Sequence, residues 1–94
     1  MDLKEIQERN YQATVKRGLI TAATTFDDFI DKIKEETLEL IYSAEIDIRS
    51  GDIKYMFDEL ELSDIIITCF NMAKYYDIDI QKALEEKTLI NETR

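Results

Sequence analysis

The chain contains no histidine, no proline and no tryptophan, and of its 94 residues two are glycine and one is cysteine. Each shortage excludes something. Without histidine there is no usual zinc ligand, no usual general base and no Glu-x-x-His motif of the kind that builds di-iron helix bundles. Without proline, and with glycine only at positions 18 and 51, little interrupts a helix and little is available for tight β-turns. The lone Cys69 cannot form an internal disulfide and suits a reducing compartment. No signal-peptide pattern is present, and no apolar run approaches the roughly 20 residues of a membrane span. The expectation is a cytoplasmic protein that does not enter a membrane. Basic residues are scarce as well. Twelve Lys and Arg against 21 Asp and Glu leave a net charge of −9, which disfavours a nucleic-acid polymer as partner because counterion release needs a basic patch. A nucleotide is not disfavoured, since a divalent metal can sit between two anions.

What is present reads as one domain, residues 1–94, of the all-α class. A hydrophobic content of 45% is ordinary for a globular chain. The first helix runs from about Asp2 to Arg17 and stops near Gly18, a favourable C-cap residue. Its apolar pattern (Leu3, Ile6, Tyr11, Val15) is sparse, so it is peripheral. Thr25-Phe-Asp-Asp28 resembles a capping box with Asp in place of Glu and opens the second helix. From there Phe26, Phe29, Ile30, Ile33, Thr37, Leu40, Ile41, Ala44 and Ile48 follow the helical period, which predicts a helix to about Ser50, ended by Gly51. The third helix is expected over Ile53–Tyr76. Its second half, DIIITCFNMA, is apolar nearly all round, and a helix of that kind needs cover on every side. One small protomer can hardly provide it, so the four-helix bundle is expected to be completed by homo-oligomerisation. The fourth helix starts at the N-cap Asp79 and continues to the end of the sequence.

The chemistry is carried by polar residues inside apolar stripes. On the third helix the seam Ile53, Phe57, Leu60, Asp64, Ile67, Asn71 places Asp64 and Asn71 where leucine would be expected. A buried carboxylate must find a proton, a cation or a metal. Glu61 lies one turn before Asp64 and leans to the same face. On the second helix Glu36 borders the apolar stripe and Glu39 follows one turn later. Residues three apart on a helix have Cβ atoms roughly 5–6 Å apart, so two such pairs on neighbouring helices would form a four-carboxylate cluster suited to Mg²⁺ or Mn²⁺. The fourth helix shows the complementary pattern, because Lys87, Asn91 and Arg94 continue the stripe begun by Ile80, Ala83 and Leu84. Carboxylates on a metal, with Lys and Arg on phosphate oxygens, would hold a metal-polyphosphate. Structural readings stand beside these. A Glu-x-x-Glu pair is commonly a solvated face, Lys87 and Arg94 complement a helix C-terminus, Asn71 can fix packing register, and Asp64 can pair with Lys87.

Together these residues resemble a known family. Glu35-Glu36-Thr-Leu-Glu39 followed by Glu61-Leu-Ser-Asp64, with 21 residues between Glu39 and Glu61, resembles the EExxE…ExxD signature of the MazG-like nucleotide pyrophosphohydrolases of the all-α NTP pyrophosphatase superfamily. Lys87-Thr-Leu-Ile-Asn91-Glu-Thr-Arg94 resembles the KxxxNxxR that closes that family's last helix, and YYDIDIQKALEEK is similar to the connection leading into it. The likeness covers about residues 26–94, and its weight lies in the combination of motifs in order.

The resemblance implies Mg²⁺-dependent hydrolysis of a (deoxy)nucleoside triphosphate to the monophosphate and pyrophosphate, a nucleotide-pool housekeeping role. It implies Glu36, Glu39, Glu61 and Asp64 as metal ligands (Mn²⁺ being the alternative ion), Lys87, Asn91 and Arg94 as substrate-binding residues, and a homodimer or homotetramer. With no histidine, a carboxylate must assist the attacking water, and Glu35 or Glu36 is the candidate. The alternative is a non-enzymatic acidic helical oligomer, an adaptor or regulatory binding module, that uses the third helix for self-association and leaves its carboxylates solvated.

Overall fold

The computed structural model describes residues 1–47 and 54–94. Among them run four helices, α1 (Leu3–Lys16), α2 (Phe26–Ser43), α3 (Glu59–Tyr75) and α4 (Ile80–Glu92). Between α2 and α3 lies a short antiparallel ribbon of β1 (Glu45–Asp47) and β2 (Lys54–Met56), in the register Glu45↔Met56, Ile46↔Tyr55, Asp47↔Lys54.

The helix ends follow from local chemistry. Asp2 caps α1 by accepting from the Glu5 amide at 2.8 Å. At its other end Gly18 takes a left-handed φ of 76°, and the Leu19 and Gly18 amides donate to the carbonyls of Thr14 and Val15, which is a Schellman closure. The Thr25 box is complete. Thr25 Oγ1 accepts from the Asp28 amide at 3.2 Å and the Thr25 amide donates to Asp28 Oδ2 at 2.8 Å. Asp79 caps α4 through the Lys82 amide at 3.1 Å. The end of α3 repeats the Schellman pattern without glycine: the Ile78 and Asp77 amides donate to Ala73 and Lys74, and Asp77 itself adopts the left-handed φ of 56°.

The middle of the chain corrects the helix boundaries drawn from sequence. α2 ends at Ser43, with Ala44 already extended at ψ 131°, and residues 54–56 are strand where the third helix was expected. Ile48, Ser50, Gly51 and Ile53, to which the sequence assigned the end of one helix and the start of the next, lie outside the described residues. The physical reason is a second periodicity. Glu45-Ile46-Asp47 and Lys54-Tyr55-Met56 alternate polar and apolar residues with the period of a strand, and short runs of this kind satisfy the helical stripe by coincidence.

The chain packs as two compact units, residues 1–21 with 70–94 and residues 22–69. In the first, Ile20 and Ala73 are buried, and α1 meets α3 through polar contacts. Gln7 Nε2 donates to the Phe70 carbonyl at 2.9 Å and Asn71 Nδ2 to Thr14 Oγ1 at 3.3 Å. Lys74 pairs with Glu8 and lies 5.4 Å above the Tyr11 ring. Asn71, which is buried, therefore serves helix packing. In the second unit Phe29 is buried together with Glu36 and Thr68. Both cores are thin. Tyr42 and Leu60, in the second unit, are 80% and 72% exposed, and Leu38, Ile41, Phe57 and Ile66 are also open to solvent. In the single chain α3 is thus not covered on every side. No helix among the described residues is long and apolar enough to cross a membrane.

Candidate metal centre

The acidic residues of interest lie on α2 and on the first half of α3, all within the second unit. On α2 the inward seam runs Phe29, Ile33, Glu36, Leu40, in steps of four, three and four, so the helical period itself carries Glu36 inward, where it is 7% exposed. On α3 the inward seam runs Glu61, Ile65, Thr68, while Asp64 is exposed. This is one position out of phase with the seam drawn from sequence through Asp64 and Ile67. That seam took its phase from Ile53 and Phe57, and α3 begins only at Glu59.

The result is a trio. Glu36, Glu39 and Glu61 each present a carboxylate oxygen, and the three oxygens lie within 4.8 Å of one another. Glu36 Oε1 accepts from Lys32 Nζ at 3.0 Å, whereas Glu36 Oε2 and Glu61 Oε2 are buried without a hydrogen-bond partner. A buried polar atom without a partner costs about 1–3 kcal/mol. Three converging carboxylates, two with such an oxygen, repel one another, and a proton or a cation among them would reduce that repulsion.

The proton affinities point the same way. Glu39 is pushed above the ordinary glutamate value, first because a proton on it can bridge to Glu36, then by the negative charge of Glu36, with further contributions from desolvation, Glu61 and Glu35. Asp64 is raised by desolvation and then by the charge of Glu36, against the opposing pull of Lys32. Asp64 stands outside the trio but within reach of its field. Glu35 is exposed and pairs with Lys32 at 3.5 Å. Lys32 in turn is held protonated above the ordinary lysine value, chiefly by its bond to Glu36.

Hard oxygen donors, two of them buried and lacking a donor, fit a divalent cation of the Mg²⁺ or Mn²⁺ class. Glu36, Glu39 and Glu61 would hold it, with Asp64 one turn from Glu61. Lys87 and Asn91 are on α4 and Arg94 follows it, all exposed, in the first unit. Among the described residues, neither Lys87 nor Arg94 is in an ion pair within that unit. Lys32 went unread in the sequence, although its signal was there: in Lys32-Ile-Lys-Glu35-Glu36 the lysine stands three and four residues before the two glutamates, the spacing that brings helical side chains together.

No family model, no curated protein and no solved structure matches the chain.

Proposed function

We propose that the protein is a Mg²⁺-dependent nucleoside triphosphate pyrophosphohydrolase that releases pyrophosphate and leaves the nucleoside monophosphate. The observation that carries this reading is the convergence of Glu36, Glu39 and Glu61 with two buried, partnerless oxygens. The order of the acidic and basic motifs along the chain, which resembles the MazG-like pattern, supports it. Glu36, Glu39, Glu61 and Asp64 hold the cation. When bound, Mg²⁺ supplies charge neutralisation for phosphate oxygens and acidifies water. Glu35, on the exposed edge of the cluster, or Glu36 takes the proton of the attacking water. The resemblance assigns substrate binding to Lys87, Asn91 and Arg94, two cations and an amide whose chemistry suits phosphate oxygens. The exposed apolar residues around Tyr42, Leu60 and Ile66 are the surface a second copy would cover in a homodimer or homotetramer. Such a nucleotide-pool enzyme would work in the cytoplasm.

The test is pyrophosphate release from a panel of nucleoside triphosphates with Mg²⁺. Glu39→Gln and Asp64→Asn should abolish release while the far-UV circular dichroism stays helical. Near-normal release by either variant removes that residue from the metal set. The second reading, a non-enzymatic adaptor, is favoured by the same exposed apolar surface. It predicts that no triphosphate in the panel is turned over and that Mg²⁺ leaves the thermal transition where it was.

A further inference from the structure

We infer that Lys32 is the resident counter-ion of the acidic centre and the cation that a divalent metal must displace in order to bind. The inference rests on the metal-centre reading above and adds to it a determinant of affinity and ion selectivity. Lys32 Nζ lies 3.0 Å from Glu36 Oε1 and 3.5 Å from Glu35 Oε1, and its charge is felt at Asp64. One ammonium therefore contacts two of the carboxylates around the site, Glu36 and Glu35. Its service is incomplete, because Glu36 Oε2 and Glu61 Oε2 keep no donor. A single positive charge on a tethered side chain satisfies one edge of Glu36. A compact divalent ion could satisfy the converging oxygens together.

The exchange is physically easy on the lysine side. The Lys32 side chain is 45% exposed, so its ammonium can swing into water and rehydrate, as long lysine stems commonly do. Glu36 cannot follow it, being buried on the inward seam of α2. The lysine thus leaves while the carboxylates stay. A monovalent metal ion offers no more charge than the ammonium already present, so Lys32 selects for divalent ions by competing with both kinds.

The experiment is a Mn²⁺ titration of the full chain, with free Mn²⁺ followed by electron paramagnetic resonance. It reads binding without turnover. Lys32→Met keeps an unbranched side chain and good helix propensity and should tighten Mn²⁺ binding by about fivefold, the effect of one unit charge at salt-bridge distance in a water-like dielectric. Lys32→Gln, which removes the same charge in a polar side chain, must tighten binding too. Lys32→Arg should bind no tighter than the wild type. Unchanged or weaker binding by the Met and Gln variants, with wild-type binding intact, overturns the role of Lys32 and leaves the metal centre standing. If wild type and variants alike bind no Mn²⁺, the metal centre falls and this inference falls with it.

Discussion

Replacing Glu36 by Gln separates two accounts of the acidic cluster, because they forecast opposite signs for stability. If the Lys32–Glu36 contact at 3.0 Å is a structural ion pair, losing it destabilises the fold. A fully buried pair broken on one side costs about 3–5 kcal/mol, and the half-exposed lysine here would reduce that figure. If instead Glu36 is a ligand waiting for a cation, the metal-free protein carries a penalty that glutamine relieves. Its amide is a donor where Oε2 had none, in a cluster where one oxygen each of Glu36, Glu39 and Glu61 lie within 4.8 Å of one another. The charge terms partly cancel, since the substitution removes repulsion from two carboxylates and attraction to one lysine. What remains is the relief of an unpaired buried acceptor, about 1 kcal/mol, or roughly 4–8 °C in the melting temperature of a domain this size.

The assay is a thermal melt in EDTA and again with MgCl₂. Wild type should gain stability with Mg²⁺ by mass action, about 2.7 kcal/mol at a hundredfold excess over Kd. Glu36→Gln should start higher in EDTA and gain little. The ordering of the two proteins therefore inverts between the buffers. A Gln variant that melts well below wild type in EDTA, together with a wild type indifferent to Mg²⁺, would refute the ligand account and leave a structural bridge.

In metal-free buffer, stability should fall as pH rises through and above the ordinary carboxylate range. Glu39 and Asp64 have folded-state proton affinities raised above their ordinary values of 4.5 and 3.8, so the stability they contribute is present below those values and is lost as they ionise in the fold. Denaturant melts across that range should show the slope, and saturating Mg²⁺ should flatten it; a slope unaltered by Mg²⁺ would assign it to the overall negative charge. Glu8, held below its usual value by Lys74, works in reverse and is lost only under stronger acid. Asp77→Gly should raise stability by about 0.5–1 kcal/mol, because glycine accepts the left-handed φ of 56° without a Cβ penalty; an unchanged melting temperature would show that aspartate bears that conformation freely. Thr25→Ala should lower stability by about 1 kcal/mol through loss of the capping box, measured by urea unfolding.

The parts of the fold legible in the sequence are those written in local chemistry. Gly18, Thr25 with Asp28, and Asp79 each announce a helix end within four residues, and each closes its helix in that way. The ribbon was not legible, because Leu40, Ile41 and Ala44 carry the helical stripe to the edge of a segment whose own period is two. Deciding between those periods takes tertiary information that a window of a few residues does not hold. The same error of phase passed into the site. Glu36, Glu39 and Glu61 were found by spacing, since i and i+3 share a helix face whatever the exact boundaries. Which residue of the Glu61–Asp64 pair turns inward depends on where α3 begins, and there Glu61 takes the place assigned to Asp64.

That exchange changes what each acid can do. Glu61 sits on the inward seam with a partnerless oxygen, so its freedom to reorient is small and its position is set by packing. Asp64 is exposed, raised in proton affinity by desolvation and then by Glu36, with Lys32 opposing, and packing does not fix its side chain as it does that of Glu36. With Lys32 on Glu36, Asp64 has a cation nearby. A divalent ion held by the trio would replace that lysine charge, and Asp64 would then be the next carboxylate within its field. Burial on two helices thus separates Glu36 and Glu61, which face inward, from Glu39, Asp64 and Lys32, which are exposed, and only the exposed groups can rearrange without disturbing the packing.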